Sequence, residues 1–247
     1  MTIINLSVEL SPDLPCWWPG LEPFTVTTTS TVAAANTFSR NMHLEEHTGT
    51  PLDAPCHTGD EFFRPYSSVT GDEVPISDLV GRARVIDVRS LPTDIVGTSS
   101  SIGTEVLMRY EQESGEVLAG DAVLLLTGWS DRYYRAFPAG YEYVRYPLEG
   151  RSGAWPAAAP AFIEALATRG VKLLGVDCPT VGGLPDLAAA HRAAFRCGIT
   201  PVENLVNLGS LIGLDAVFAF LPLRVKGSSG CPGCAVAFVM EGVSRAN

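Results

Sequence analysis

Short runs of consecutive apolar residues divide the chain into regular elements. Residues 122–126, 216–221 and 235–240 form such runs, and residues 83–88 and 171–176 are largely apolar segments interrupted by Arg84, Asp87 and Lys172. A run of about four to eight residues without polar alternation is typical of a strand that is buried on both faces. These segments therefore predict the strands of a central sheet.

Helical periodicity lies between the predicted strands. Residues 157–169 place apolar side chains at helical spacing, and Gly170 supplies the C-terminal stop. Residues 188–196 predict a shorter helix that carries His191. No internal repeat, low-complexity run or linker divides the sequence. This order of strands and helices predicts an α/β fold with mixed sheets and flanking helices, in a single domain over residues 1–247.

One stretch concentrates the candidate chemistry: His47-Thr-Gly-Thr-Pro-Leu-Asp53-Ala-Pro-Cys-His57. Its two prolines disfavour a helix, and each pushes the residue before it toward extended geometry. Side chains at even spacing along an extended chain share one face, so His47, Asp53 and His57 can converge on one point. Two imidazoles and a carboxylate suit a divalent transition metal or proton transfer. The alternative interpretation is that each is a solvated or capping residue of a loop.

Composition bounds the class of protein. The 247 residues are 46% hydrophobic and 18% charged, with a formal net charge of −10, which argues against nucleic acid or an anionic membrane as a partner. The first residues show neither the basic nor the long apolar segment of a secretory signal, so we expect a cytoplasmic protein. The six cysteines are scattered, which favours free thiols. Cys231 and Cys234 have C-x-x-C spacing, but the Gly/Ser-rich segment before them predicts a loop rather than a redox or zinc site.

Aromatic residues suggest the walls of a pocket. Trp17 and Trp18 precede Pro-Gly, which holds them in a stiff turn. They are either a hydrophobic plug against the core or an aromatic wall for a flat substrate. A second aromatic segment, residues 60–75 with Phe63, predicts a loop that covers the pocket.

The ordered motifs of the chain resemble those of one family. They are Asn5-Leu-Ser7 with Trp18-Pro-Gly20, the stretch 47–57, Thr127-Gly-Trp129, Gly175-Val-Asp177, His191, Glu203-Asn-Leu-Val-Asn-Leu208 and Pro222-Leu-Arg-Val-Lys-Gly227. Together they resemble the cyclase family that includes the bacterial kynurenine formamidases and isatin hydrolase, nearly end to end. The resemblance implies a swivelling β/β/α fold. It also implies a homo-oligomer, a homodimer or homotetramer, with pockets near the subunit contacts.

The resemblance implies roles for individual residues. It assigns metal binding to His47, Asp53, His191 and Glu203, acid/base catalysis to His57, and the substrate wall to Trp18. The family signature, H-x-G-T-H-x-D-A-P-x-H, has a second histidine where this chain has Pro51. Because proline offers no donor atom, we expect at most one divalent ion, zinc or manganese, held by Asp53, His191 and Glu203 with help from His47 or His57.

Three functions remain open. The first is a metal-dependent hydrolase of a small cyclic or aryl amide or ester, such as a formamide, lactam or lactone, that uses a metal-activated water and His57. The second is a biosynthetic cyclase, isomerase or dehydratase with a reduced or absent metal site, which the change at Pro51 favours. The third is a non-catalytic binding protein on the same fold.

Overall fold

The structure is a computed structural model that describes residues 1–59 and 67–240. The strands are β1 (Thr2–Asn5), β2 (Thr25–Ser30), β3 (Ser39–His43), β4 (Pro51–Asp53), β5 (Val80–Asp87), β6 (Ser101–Ile102), β7 (Ala122–Leu126), β8 (Ala157–Ala158), β9 (Leu173–Val176), β10 (Thr200–Val202), β11 (Ala216–Pro222) and β12 (Gly230–Val239). The helices are α1 (Val32–Ala35), α2 (Thr104–Ser114), α3 (Trp129–Tyr133), α4 (Arg145–Leu148), α5 (Pro160–Thr168) and α6 (Ala188–Arg196). Turns of 3₁₀ helix lie at Gly71–Glu73, Ile76–Leu79, Ala139–Glu142 and Leu208–Leu211.

The main sheet closes on itself. Its strand order is β1-β12-β11-β5-β7-β9-β10-β4, and β4 also pairs with β12. The pairs β5–β7, β7–β9 and β9–β10 are parallel. The other pairs of the sheet are antiparallel. Strand β12 completes the ring because its first residues pair with β4 and its later residues pair with β11. Strand β1 adds to the other edge of those later residues. The mixed α/β architecture predicted from the sequence is confirmed.

Both faces of the ring are buried at β4, β7, β9 and β10, which explains the uninterrupted apolar run of β7. The run 216–221 is different, because Val217 and Leu221 of β11 are 37% and 51% exposed. In β7, Ala122, Leu124 and Leu126 belong to the cluster inside the ring. The alternate residues Val123 and Leu125 belong to a second cluster, which also contains residues of α2, α5 and α6. Each fully buried side chain of this size contributes about 1.5–3 kcal/mol of transfer free energy. Alternation along each strand therefore fixes which side chains face the helices and which fill the ring.

Polar residues follow the parallel strands at the edge where those strands end. Thr127 follows β7, Asp177 follows β9 and Glu203 follows β10. Asp177 accepts hydrogen bonds from the backbone N–H and hydroxyl of Thr127, at 2.7 and 2.6 Å, and from the backbone N–H of Gly128, at 2.8 Å. In open α/β sheets, ligands bind at this carboxyl edge. The same edge carries the candidate site in this closed sheet.

Two sequence-based predictions about secondary structure were wrong. Residues 231–234 lie within β12 and not in a loop, because Cys231 and Pro232 pair with Leu52 and Pro51 of β4. Cys231 is buried and Cys234 is exposed, so the two thiols do not face one site. The predicted helix 157–169 begins only at Pro160, and the residues before it form β8, which pairs with β6. Proline favours the first position of a helix, which sets this boundary.

A hairpin projects from the body of the molecule. Strands β2 and β3 form a separate two-stranded sheet, and within the described part of the chain neither pairs with another strand. Val32, Phe38 and Met42 of this segment are 63%, 62% and 65% exposed. An isolated two-stranded sheet is marginally stable in water, so its exposed apolar side chains need an explanation at the level of the whole molecule.

The described helices are short. The longest of them, α2, has 11 residues, whereas a membrane-spanning helix needs about 20 apolar residues. Within residues 1–59 and 67–240, no helix combines the length and apolar character needed to cross a bilayer.

Candidate metal centre and cleft

Strand pairing brings the two candidate carboxylates to one face of the sheet. Leu52 of β4 lies opposite Val202 of β10, and both side chains point into the ring. Their neighbours therefore point outward, toward the helix-covered side. Asp53 and Glu203 are two such neighbours, and Pro51 is a third. The backbone N–H of Glu203 donates to the carbonyl of Pro51 at 3.0 Å, so position 51 lies beside the site.

His191 reaches these carboxylates from helix α6. Its Nε2 lies 3.0 Å from Oδ2 of Asp53 and 3.3 Å from Oε1 of Glu203. Its Nδ1 lies 2.9 Å from the backbone carbonyl of Leu187. A carbonyl can only accept, so Nδ1 carries a proton. Nε2 therefore donates to the carboxylates when His191 is protonated, and its lone pair becomes available to an ion when that proton leaves. Asp53, His191 and Glu203, all buried, are called the buried trio below.

His47 contacts the other oxygen of the same aspartate. Its Nδ1 lies 2.8 Å from Oδ1 of Asp53, and its Nε2 lies 3.3 Å from the hydroxyl of Ser229. Ser229 is held in turn by Glu46, whose Oε2 accepts from the Ser229 backbone N–H at 2.7 Å and lies 2.8 Å from its hydroxyl. Asp53 thus connects His47 with His191, one imidazole on each carboxylate oxygen.

His57 lies at the open side of the cluster. Its ring centroid is 4.1 Å from that of His47 and 6.3 Å from that of His191. A tight turn after β4 places His57 at this position. In the turn, the backbone N–H of His57 donates to the carbonyl of Ala54 at 2.8 Å. The ring of His57 is exposed, whereas Asp53 is buried. The convergence of His47, Asp53 and His57 predicted from their spacing is therefore what the structure contains.

The cluster strongly shifts the pKa values of its members. Burial opposes charging of both inner histidines, but hydrogen bonds and charge from the carboxylates outweigh it and raise the pKa of His47 to about 9 and that of His191 to about 10. Burial likewise opposes ionisation of Asp53, yet the two imidazoles hold its pKa well below the usual range. Burial and the charge of Asp53 raise the pKa of Glu203.

The pKa of His57 shifts in the opposite direction from those of His47 and His191. Partial enclosure in the cleft lowers the pKa of its imidazole, and the charges of His47 and His191 lower it further against the pull of Asp53. A histidine whose pKa is below its ordinary value of about 6.5 is neutral at pH 7 and can accept a proton. At pH 7, His47 and His191 are therefore protonated, whereas His57 is neutral and can accept a proton.

The donor set fits a divalent ion. The buried trio offers two carboxylates and one imidazole whose donor atoms lie within 4.8 Å of one another, and His47, Asp53 and His57 form a second such group. Nitrogen and oxygen donors of this kind bind zinc or manganese. The carboxylates already draw positive charge onto two imidazoles, so a doubly charged ion can replace those protons. The backbone carbonyl that fixes His191 is the outer support usual for a metal-binding histidine.

A cleft of about 350 Å³ opens onto the cluster. Trp18 lines it together with the buried trio, His47 and His57. Trp17 instead lines a neighbouring cavity on the other side of its own loop. Phe63, the third residue predicted to bind substrate, lies outside the described residues, as does all of the 60–66 part of the predicted covering loop.

Several residues of the site were not predicted from the sequence. Ser229 and Glu46 support His47, and Thr180 lies 3.3 Å from Nε2 of His191 through its hydroxyl. Ser229 is 182 positions from His47. The Gly/Ser-rich composition around it predicts only a loop, so no local signal identifies it. Thr180 follows Asp177 in the Pro/Gly loop after β9, where proximity to a predicted strand end is the available signal.

Hydrogen bonds of Asn204 connect the strand that carries Glu203 with the 47–57 stretch. Its Nδ2 donates to the carbonyl of Gly49 at 2.6 Å, and its Oδ1 accepts from the hydroxyl of Tyr143 at 2.7 Å. Its own carbonyl accepts from the hydroxyl of Thr50 at 3.0 Å. The residue has a φ of 56°, a left-handed conformation that asparagine tolerates better than most side chains. It follows Glu203 directly, so these contacts fix Glu203 relative to the 47–57 stretch.

The fold and site define a mixed α/β protein with a carboxylate–imidazole centre in an aromatic-walled cleft. Residues 4–182 match the family model described as putative cyclase, and the chain belongs to this cyclase family. A kynurenine formamidase from Bacillus thuringiensis is 30% identical over 231 residues, which cover 93% of each chain. An isatin hydrolase from Roseibium aggregatum is 28% identical over 205 residues, 80% of this chain and 73% of the relative.

A solved structure supports the same relationship. Isatin hydrolase A from Labrenzia aggregata bound to benzyl benzoate superposes with a TM-score of 0.80 at 25% sequence identity. The match covers 96% of this chain and 93% of that one. The protein is therefore related to hydrolases over nearly its whole length.

Proposed function

We propose that this protein is a metal-dependent hydrolase of a small cyclic or aryl amide or ester. One observation carries the proposal: the buried trio converges at the floor of a cleft whose open side holds a neutral, exposed His57. Such a site provides ligands for an ion and a separate group for proton transfer, which hydrolysis of a formamide, lactam or lactone requires.

The buried trio would hold the ion, with His47 adjacent to it through Asp53. A divalent ion bound there supplies a Lewis acid that activates water near neutral pH and polarises a carbonyl. The chain itself fixes the ligands. The carbonyl of Leu187 orients His191, and the backbone N–H of Val181 donates to Oε1 of Glu203 at 2.7 Å.

His57 would move the proton. As the neutral imidazole at the mouth of the cleft, a ring nitrogen accepts a proton from the attacking water and then returns it to the departing amine or alcohol. Trp18 would hold the flat part of the substrate against the wall of the cleft. The roles of both residues are proposals that the convergence of the side chains supports.

The relatives support the choice of bond. The names of the relatives, kynurenine formamidase and isatin hydrolase, denote a hydrolase of a formamide and a hydrolase of isatin. Identities of 28–30% support this general class of reaction for the present chain.

Pro51 favours a second candidate function. It lies beside Glu203 on the face that carries the ligands, and its ring has no donor atom. A site with fewer ligands suits a cyclase, isomerase or dehydratase, in which acid/base chemistry alone closes a ring or removes water. This candidate predicts turnover that is insensitive to metal.

A chelator experiment separates the two candidates. Formanilide, isatin, N-formylkynurenine and a simple lactone are incubated with protein that is metal-loaded, chelator-treated, or chelator-treated and then supplied with zinc or manganese. The proposal expects hydrolysis of at least one probe that is lost with chelator and restored by metal. Asp53→Asn, which removes the carboxylate shared by both histidines, is the inactive control. Hydrolysis that persists at full rate after complete metal removal would contradict a metal-dependent mechanism.

The setting of the enzyme is also proposed. We infer a cytoplasmic enzyme for a small-molecule substrate that assembles as a homodimer or homotetramer. The exposed apolar side chains of the β2–β3 hairpin support the assembly.

A further inference from the structure

A second cavity lies behind the tryptophan pair. It has a volume of about 570 Å³, and Trp17 forms part of its wall. Trp18, the next residue, lines the cleft that contains the buried trio. A narrow crevice of about 40 Å³ lies between the two spaces. Trp17 and Trp18 both line this crevice, and it also reaches His47 and Glu203. The tryptophan pair therefore separates two adjoining spaces.

The outer cavity has the lining of a site for a neutral, flat group. Three prolines and the rings of Trp17, Phe137 and Tyr141 contribute to its surface. The Trp17 and Phe137 centroids are 5.5 Å apart and those of Phe137 and Tyr141 are 4.7 Å apart. Two charged side chains, Arg145 and Glu149, also line the cavity, and they pair with each other at 2.7 Å. Because the charges of this pair compensate each other, the cavity favours an uncharged ring over an anion.

The loop that carries the tryptophans is fixed on both sides. The carbonyl of Cys16 accepts from the backbone N–H of Gly49 at 2.7 Å, which ties the loop to the 47–57 stretch. The carbonyl of Asp13 accepts from the backbone N–H of Phe137 at 2.8 Å, which ties it to the far wall of the outer cavity. The two spaces are thus held at a fixed separation, which is what a pre-formed two-part binding site requires.

We propose that the outer cavity is a second substrate subsite, which binds the distal ring of a two-part substrate. This inference rests on the proposed function, since the reacting carbonyl occupies the cleft. The crevice is far smaller than either of the two spaces it adjoins, so the connection between the two parts of the substrate is short. The substrate class is an arylalkyl amide or ester, with one end against Trp18 and the other against Trp17.

A matched pair of ligands tests the subsite without requiring turnover. N-methylbenzamide and N-benzylbenzamide share the carbonyl end and differ by one distal ring. Isothermal titration calorimetry on the metal-loaded full chain should give about tenfold to hundredfold tighter binding of N-benzylbenzamide, since burial of one ring has that effect. Trp17→Ala removes part of the cavity wall, and Leu148→Trp fills the space. Both variants should reduce the ratio of the two dissociation constants to near one.

Two controls complete the experiment. Leu118→Trp adds an indole at an exposed leucine that is 57% accessible and should leave the ratio unchanged. Trp18→Ala should weaken both ligands and leave their ratio largely intact. Equal binding of the two ligands by the wild-type protein, or no binding of either, overturns the subsite, and so does a ratio that survives in folded Leu148→Trp. Metal-dependent hydrolysis of formanilide by the same preparation would show that the proposed function stands even when the subsite fails.

Discussion

Position 51 bears on how many ions the proposed metal site can hold. Pro51 lies beside Glu203 on the outward face of β4, where a side-chain nitrogen would reach the cluster. The proline ring provides none, and it also removes a backbone donor at the seam where β4 meets Pro232 of β12. The remaining sub-site is the buried trio, which shares Asp53 with His47.

Wild-type protein should therefore retain at most one tightly bound divalent ion per chain, and Pro51→His should raise that number toward two. The new imidazole would lie next to His47 and Asp53, a ligand combination that zinc favours. Elemental analysis after dialysis measures both values. Pro92→His, which adds an imidazole in an exposed loop, should leave the metal content unchanged. Two retained metal ions per wild-type chain would contradict the first expectation. A Pro51→His variant with the same metal content as the wild-type protein would contradict the second.

His57 has two candidate roles, acid/base catalysis and metal binding, and a substitution distinguishes them. It belongs to a ligand-like group with His47 and Asp53, yet it is the exposed member of that group and has the lowered pKa. An acid/base residue and a ligand predict different losses when the imidazole is removed.

His57→Ala should keep its metal and lower kcat by a factor of about 10²–10⁴, the usual contribution of general acid–base catalysis. Steady-state kinetics and elemental analysis on one preparation give both values. The matched control is His43→Ala, which removes an exposed histidine at the end of β3. A variant that loses its metal together with activity would identify His57 as a ligand, and near wild-type kcat would remove it from the mechanism.

At the scale of elements, Asp177 joins the ends of β7 and β9. It accepts from Thr127 and Gly128, and burial raises the pKa of its carboxyl from 3.8 to about 6. The folded protein therefore holds this proton to a higher pH than the unfolded chain does. The associated stability is fully present below about pH 3.8 and is lost as the pH rises through about 6.

The free energy of unfolding measures this effect. The stability of the wild-type protein relative to Asp177→Asn should fall by up to about 3 kcal/mol between pH 4 and pH 7, because the asparagine does not titrate. Urea unfolding at several pH values gives the difference, and contributions from other groups cancel in it. Asn also places an amide opposite the backbone N–H of Gly128, so a constant offset is expected. A difference that rises with pH would refute the argument.

Elements with a strong local pattern could be predicted from the sequence. Strand β7 and helix α6 have the predicted limits, residues 122–126 and 188–196, because an unbroken apolar run and a helical period are local signals. The start of β12 could not be predicted. Gly230, Pro232 and Gly233 favour a loop by composition, and the strand forms because distant residues of β4 and β11 pair with it.

The site was predictable in part for the same reason. His47, Asp53 and His57 lie within eleven residues, and proline-stiffened extended geometry brings them together. The approach of His191 and Glu203 depends on how α6 and β10 pack against β4, and only the family resemblance indicated it. Ser229 shows the limit, since its contact with His47 joins positions 182 residues apart. The separation of Trp17 from the cleft likewise depends on the path of one loop.

At the scale of the whole molecule, the β2–β3 hairpin and the net charge have opposite effects on self-association. Val32, Phe38 and Met42 are each more than 60% exposed, and full burial of such a side chain contributes about 1.5–3 kcal/mol. A chain with a formal charge of −10 repels its own copies. Contact through the hairpin would remove the apolar surface from water, and salt would weaken the opposing repulsion.

The wild-type protein should therefore be a homodimer or homotetramer whose association strengthens with ionic strength, since salt screens repulsion between like charges but leaves apolar burial in place. The double variant Phe38→Glu with Met42→Glu should shift the mass toward the monomer, because each change puts a charge into the predicted contact. Size-exclusion chromatography with light scattering measures the mass at low and at physiological salt. Met108→Glu, at a methionine of α2 that is 56% exposed, is the matched control and should keep the wild-type mass. A monomeric wild-type protein would contradict the assembly, and an unchanged double variant would move the contact away from the hairpin.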